Sequence, residues 1–179
     1  MTHSTKETMI TQLEQWFQEE MPRLYRYVCY RTRDQLAAEE ITATTCEKAF
    51  RKLDQYNPLR GELRNWMFGI ARNELRAYFR SLKKNPVRVP LDQIPAFSLK
   101  MQSPEQEYER KEMFTQILNV LATLSEREQE VIALRYGGAL PERQIANIML
   151  LKENHIGVLL HRTLDKIKKC LEEISYESK

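Results

Sequence analysis

"RNWMFGIARNELRAYFRSLKK", residues 64–84, interleaves two residue classes that normally separate. Trp66, Phe68, Tyr78 and Phe79 belong in a core, and Arg72, Arg76 and Arg80 in water. The spacing of the apolar residues is helical, so arginines at i, i+4 and i+8 share one face. Like charges on one face repel unless a polyanion neutralises them. Nucleic-acid phosphate is the usual polyanion, and aromatic rings are the usual platform for unstacked bases. A solvated basic face over an aromatic core would give the same letters, so the stretch predicts a basic amphipathic helix and leaves its partner open.

The surrounding chain has 179 residues, room for one or two domains. Its apolar runs, such as "IMLL" at Ile148–Leu151, are too short to span a bilayer, so no membrane insertion is expected. "MTHSTKETMI" at the start does not read as a secretory signal, which points to a cytoplasmic protein. Cys29, Cys46 and Cys170 are odd in number and form no C-x-x-C pair, as expected of idle thiols in a reducing compartment. The formal net charge is +3. The basic excess lies in the first hundred residues and concentrates between Arg60 and Arg88, while the second part is slightly acidic. The first part is the better candidate for meeting a polyanion.

Helical periodicity recurs along the chain and no strand pattern stands out. Leu13 and Phe17 lead to Pro22, which suits the first turn of a new helix carrying Leu24, Tyr27 and Val28. Residues 34–53 read as a long helix, and "QYNPLRG" breaks it at Pro58 and Gly61. Residues 1–84 therefore read as one helical domain. Residues 85–104 hold Pro86, Pro90, Pro95 and Pro104 and read as a linker, apolar enough to lie against a surface. Residues 105–179 read as a second domain, its first helix capped by "SPEQ" at Ser103–Gln106. "SERE" at Ser125–Glu128 is a second capping box, and the helix after it should end in a left-handed cap at Gly137–Gly138. Pro141 starts a short helix, "LLKE" turns, and a longer helix follows from Asn154. The expected architecture is all-α: two small helical domains joined by a proline-containing linker, the second with a helix-turn-helix that offers its second helix to a DNA major groove.

Set in order, these motifs resemble the extracytoplasmic-function group of bacterial sigma factors, the small two-domain promoter-recognition subunits of RNA polymerase. "AEEI" at Ala38–Ile41 is similar to the start of that family's core-polymerase-binding helix. Trp66–Asn73 is similar to its promoter-melting helix. "LSEREQEVIALRY" is similar to the start of its second DNA-binding domain, and "QIANIM" with "HRTLDKIK" to its helix-turn-helix. The resemblance implies three surfaces. Glu39, Glu40, Glu47, Lys48 and Arg51 would meet core RNA polymerase. Asn57, Arg60, Arg64, Asn65, Trp66, Arg72, Asn73, Arg76 and Arg80 would meet the −10 element, with the loop 54–65 capturing a flipped base. Arg143, Gln144, Lys152, Glu153, Asn154, His155, Arg162 and Lys166 would meet the −35 element. It also implies promoter DNA and an anti-sigma protein as partners.

The chain departs from the family pattern twice. Thr42, Ala43, Thr44 and Cys46 stand where the polymerase-binding helix usually carries an apolar residue, Gln, Glu and a bulky apolar residue. Gly157, Val158 and Leu159 stand where the recognition helix usually carries Lys, Ser and Arg, and none of them can donate two hydrogen bonds to guanine. Base reading then falls to the start of that helix, with Arg162 and Lys166 over the backbone, or it is weak and the apolar face binds another protein. His155 and His161 do not share a helix face, and no metal-ligand cluster, phosphate loop or nucleophile elbow appears. No metal, cofactor, small-molecule substrate or enzymatic activity is expected. The alternative is a helix-turn-helix regulator that binds duplex DNA without polymerase.

Overall fold

Pro22 does not divide the first helix. The computed structural model, which describes residues 3–84, Ile117 and residues 119–177, runs one helix, α1, over His3–Thr32 with Pro22 inside it. An interior proline costs about 3 kcal/mol. Pro22 itself faces solvent, while Trp16, Leu24, Tyr27 and Val28 of the same rod are buried. Four such side chains contribute roughly 1.5–3 kcal/mol each, so packing outweighs the break.

Asp34 starts α2 (Gln35–Arg51) by accepting the Ala37 amide at 3.1 Å. Two 3-10 turns, Leu53–Gln55 and Pro58–Arg60, then lead into α3 (Leu63–Lys84). The three helices pack pairwise around Leu24, Tyr27, Val28, Met67, Phe68, Ala71 and Leu75. Thr42 on α2 is buried and its hydroxyl has no hydrogen-bond partner. A buried hydroxyl without a partner costs stability.

In the second domain, residues 119–123 are helical, and Ser125 and Glu128 form the expected reciprocal capping box at the start of α4 (Glu126–Ile132). The helix loosens into a π-helical turn, Ala133–Gly137, and α5 (Glu142–Met149) and α6 (Glu153–Glu177) follow. Among the described residues every element is helical. The linker, the Ser103–Gln106 cap and the first part of the helix expected after it fall on residues 85–116, outside the described ones.

The glycines at 137 and 138 do not make a left-handed cap. Gly138 has φ −77°, and the left-handed residue is Ala139 at φ 51°. The glycines answer a different demand. A Cβ on Gly137 would lie 2.8 Å from the Tyr27 Cα, and one on Gly138 would lie 2.7 Å from Cε1 of Phe68. Two bare backbones let the π turn sit directly on α1 and α3. The two domains are thereby docked, with α1 against the π turn and α3 against α5.

Candidate nucleic-acid interface

The arginine ladder on α3 is split by that docking. Arg76, Arg80 and Asn73 are exposed. Arg72 is turned into the second domain, where it donates to the Ile148 carbonyl at 2.7 Å and pairs with Glu130 at 3.6 Å. Burial lowers its pKa and the Glu130 charge opposes that shift. Glu130 is the centre of a cross-domain cluster. Its carboxylate accepts the Tyr27 hydroxyl at 2.5 Å and pairs with Arg31 at 3.1 Å. Arg31 also donates to Gln129 at 2.9 Å and lies over the Phe79 ring. Burial, and then the Glu130 charge, raise the Tyr27 pKa well above its ordinary value, so the phenol stays a donor.

Two more of the expected DNA-contacting residues are spent in the same way. Arg64 pairs with Glu20 at 3.1 Å and donates to the Gly138 carbonyl at 3.1 Å. Gln144 of α5 donates to Glu62 at 2.7 Å. Arg64, Arg72 and Gln144 therefore stand between the domains. Sequence reasoning missed this junction because Glu130 and Arg31 are single charges on helices with no pattern of their own.

The loop expected to hold a flipped base is pre-shaped. The Asn57 side-chain carbonyl accepts the Leu59 amide at 2.9 Å, which fixes the 3-10 turn. That turn presents Arg60 to solvent and holds Leu59, at 95% exposure, outward. Asn65 is half-buried with its carbonyl oxygen unpartnered. Trp66 is half-buried, packs against the core and lies 5.4 Å from the Tyr56 ring.

On α2, Leu36, Glu39, Glu40, Ala43, Glu47, Phe50 and Arg51 are exposed. Their spacing follows the helical repeat, so they form one continuous acidic and apolar face. Glu47 and Arg51 pair at 2.7 Å on it. Lys48 turns aside and bonds Glu74 of α3 at 2.6 Å.

The second domain has helix-turn-helix geometry. α5 ends on Leu150, left-handed at φ 58°, and Lys152, Glu153, Asn154 and His155 are all exposed at the start of α6. Arg143 and Arg162 are also exposed. Ile156, Leu160 and Thr163 are buried. Leu159 is half-buried against the core, whereas Val158 is 58% exposed on the outer face. Lys166 does not stand free: its ammonium bonds the Glu128 carboxylate and ties α6 to α4. That bond, with the Ser125 hydroxyl and amide, holds the Glu128 pKa down at about 2 against the opposing effect of burial. Among the described residues no group of ligands could hold a metal ion.

Residues 16–85 match the family described as Sigma-70 region 2, and residues 120–169 match Sigma-70, region 4. The chain belongs to the sigma-70 family. It is 27% identical over 157 residues to the ECF RNA polymerase sigma factor SigM of Bacillus subtilis, covering 87% of this chain and 93% of that one. It is 24% identical over 150 residues to the ECF RNA polymerase sigma factor BldN of Streptomyces coelicolor, covering 84% of this chain but 56% of that protein. Two solved structures share the fold. The sigma factor RpoE from Bartonella quintana, solved with the anti-sigma factor NepR, superposes with TM-score 0.69 at 19% identity over 90% of this chain and 97% of that one. CnrH, solved with the cytosolic domain of CnrY, gives 0.65 at 17% over 90% and 88%. The chain is thus a sigma factor of the extracytoplasmic-function group and directs transcription initiation with core RNA polymerase at promoter DNA. The polymerase-independent regulator is set aside, because region 2 covers the first domain. No described helix is long and apolar enough to cross a membrane.

Proposed function

We propose that this sigma factor divides its work among three surfaces and must undock its domains to use all of them. The first domain opens the −10 element. Arg76 and Arg80 hold backbone phosphate, and the 54–65 loop takes a flipped base against Asn57, Arg60 and Asn65. The observation that carries this is the adjacency of an exposed basic face and a pre-shaped loop with outward donors. The outer face of α2, with Glu39, Glu40, Glu47 and Arg51, docks on core polymerase. The start of α6 reads the −35 element through Lys152, Glu153, Asn154 and His155, with Arg143 and Arg162 on the backbone. Arg64, Arg72 and Gln144 join the DNA surface only when the domains separate, since each is engaged between them.

Such a factor works in the cytoplasm on the chromosome and needs no catalytic group of its own. An anti-sigma protein is a fitting partner, because the structural neighbour RpoE was solved with one. Runoff transcription with core enzyme and genomic DNA tests the reading. The wild-type chain should yield discrete promoter-dependent transcripts, and Glu40→Lys with Glu47→Lys should abolish both transcription and co-purification with core enzyme. Retained co-purification in the double variant would remove α2 from the polymerase surface.

A further inference from the structure

The docked domains leave a cleft of about 620 Å³ between α1, α3 and α4. Arg72, Arg76, Arg80 and Lys83 line it from α3, Arg31 from α1 and Arg127 from α4. Glu126 and Glu130 are the acids in that lining, so the wall carries a clear net positive charge. Both carboxylates are already engaged: Glu130 with Arg31 and Arg72, and Glu126 with Lys83 at 2.8 Å. Arg76, Arg80 and Arg127 are left over. Each is exposed, and among the described residues none has an ion pair or hydrogen bond.

We propose that this cleft binds a polyphosphate chain, inorganic or the tail of a nucleotide, and that the ligand holds the domains docked. Three unpaired guanidiniums lining one cleft repel each other, and a multivalent anion relieves that repulsion. Guanidinium is also the side chain best matched to phosphate oxygens, which it meets with paired N–H donors. The volume falls in the range of small-ligand sites, about 300–1,000 Å³. Promoter DNA would engage Arg76 and Arg80 from the same helix, but it has no use for Arg127. Arg127 belongs to the other domain and joins these arginines only in the docked arrangement. Ligand and promoter strand therefore compete, and the polyphosphate acts as a negative effector of initiation.

Titration calorimetry on the full chain with sodium tripolyphosphate, at ionic strength matched with sodium chloride, tests this. Saturable one-to-one binding is expected, weakened at least tenfold by Arg127→Ala. That exposed residue should leave folding and the affinity for a −10 single strand unchanged. Tripolyphosphate should displace the single strand from the wild-type chain and fail to displace it from Arg127→Ala. Adenosine triphosphate in a parallel arm tells a nucleotide site from a plain phosphate site: tighter binding than tripolyphosphate assigns the ligand to nucleotides, and equal binding assigns it to the phosphate chain alone. Absence of saturable heat, or wild-type affinity in Arg127→Ala, would overturn the proposal.

Discussion

Glu130→Ala should loosen the contact between the domains without unfolding either one. The Glu130 side chain is 9% exposed and its partners Arg31 and Arg72 are 6% and 12% exposed, so solvent screens the cluster little. Removing one member of a buried ion pair costs about 3–5 kcal/mol, because it strands the other charge. Here Arg31 keeps Gln129 and Arg72 keeps the Ile148 carbonyl. Those bonds hold the figure to the lower end, about 3 kcal/mol. Separating the domains lets both guanidiniums reach water, so the cost falls on docking and not on the cores. A change of about 3 kcal/mol is roughly a 150-fold rise in the opening constant. Amide hydrogen exchange reads that constant directly at the π turn and the facing part of α1. Protection there should fall by about that factor, while α2 and the buried face of α6 keep theirs. Glu130→Gln should fall between, since its amide oxygen still accepts the Tyr27 hydroxyl. A loss of protection below about threefold at the junction, or an equal loss everywhere, would refute the reasoning.

Gly137→Ala places a methyl against the Tyr27 backbone, which cannot swing away, so scattering should report a larger radius of gyration than for the wild type. Thr42→Val replaces an unpartnered buried hydroxyl by a methyl and should stabilise the first domain by about 1 kcal/mol in urea unfolding; destabilisation would mean that the hydroxyl has a partner. Arg76→Ala and Arg80→Ala should each lower the salt slope of promoter binding by about one unit, with Arg72→Ala matching them only in a Glu130→Ala background. The Glu128 carboxyl, held at about 2 in the folded chain, contributes stability that is present above the ordinary carboxylate range and lost as pH falls towards 2. Acid unfolding of the second domain should therefore begin at higher pH in Lys166→Met.

The elements were largely legible because their signals are local. The Ser125–Glu128 box, the stripe on α3 and the short-long helix pair each lie within a few turns, where period and capping chemistry act. Pro22 misled because its local cost is real and only the distant burial of Trp16, Leu24, Tyr27 and Val28 outweighs it. Gly137 and Gly138 misled for the converse reason. Their neighbours in sequence suggest a cap, but the demand for a missing Cβ comes from Tyr27 and Phe68, far away along the chain. Of the candidate site, the exposed members (Arg76, Arg80, Asn154, Glu40) stand where helical spacing put them. Arg64, Arg72, Gln144 and Lys166 do not stand free, because each found a carboxylate or carbonyl on another element. One-dimensional pattern carries no record of such pairings.

Under the DNA role proposed for it, Arg72 serves two masters, and that has consequences for how the protein can evolve. A substitution that strengthened its grip on a promoter backbone would also alter its fit between Glu130 and the Ile148 carbonyl, and so the resting state of the molecule. Drift at this residue is penalised twice, by different selective pressures. Arg76 and Arg80, one and two turns along, make no direct bond across the junction, so replacing them leaves its contacts as they are. Paralogues should therefore diverge sooner at these two arginines than at the junction. Where Arg72 does change, the residue at 130 should change with it.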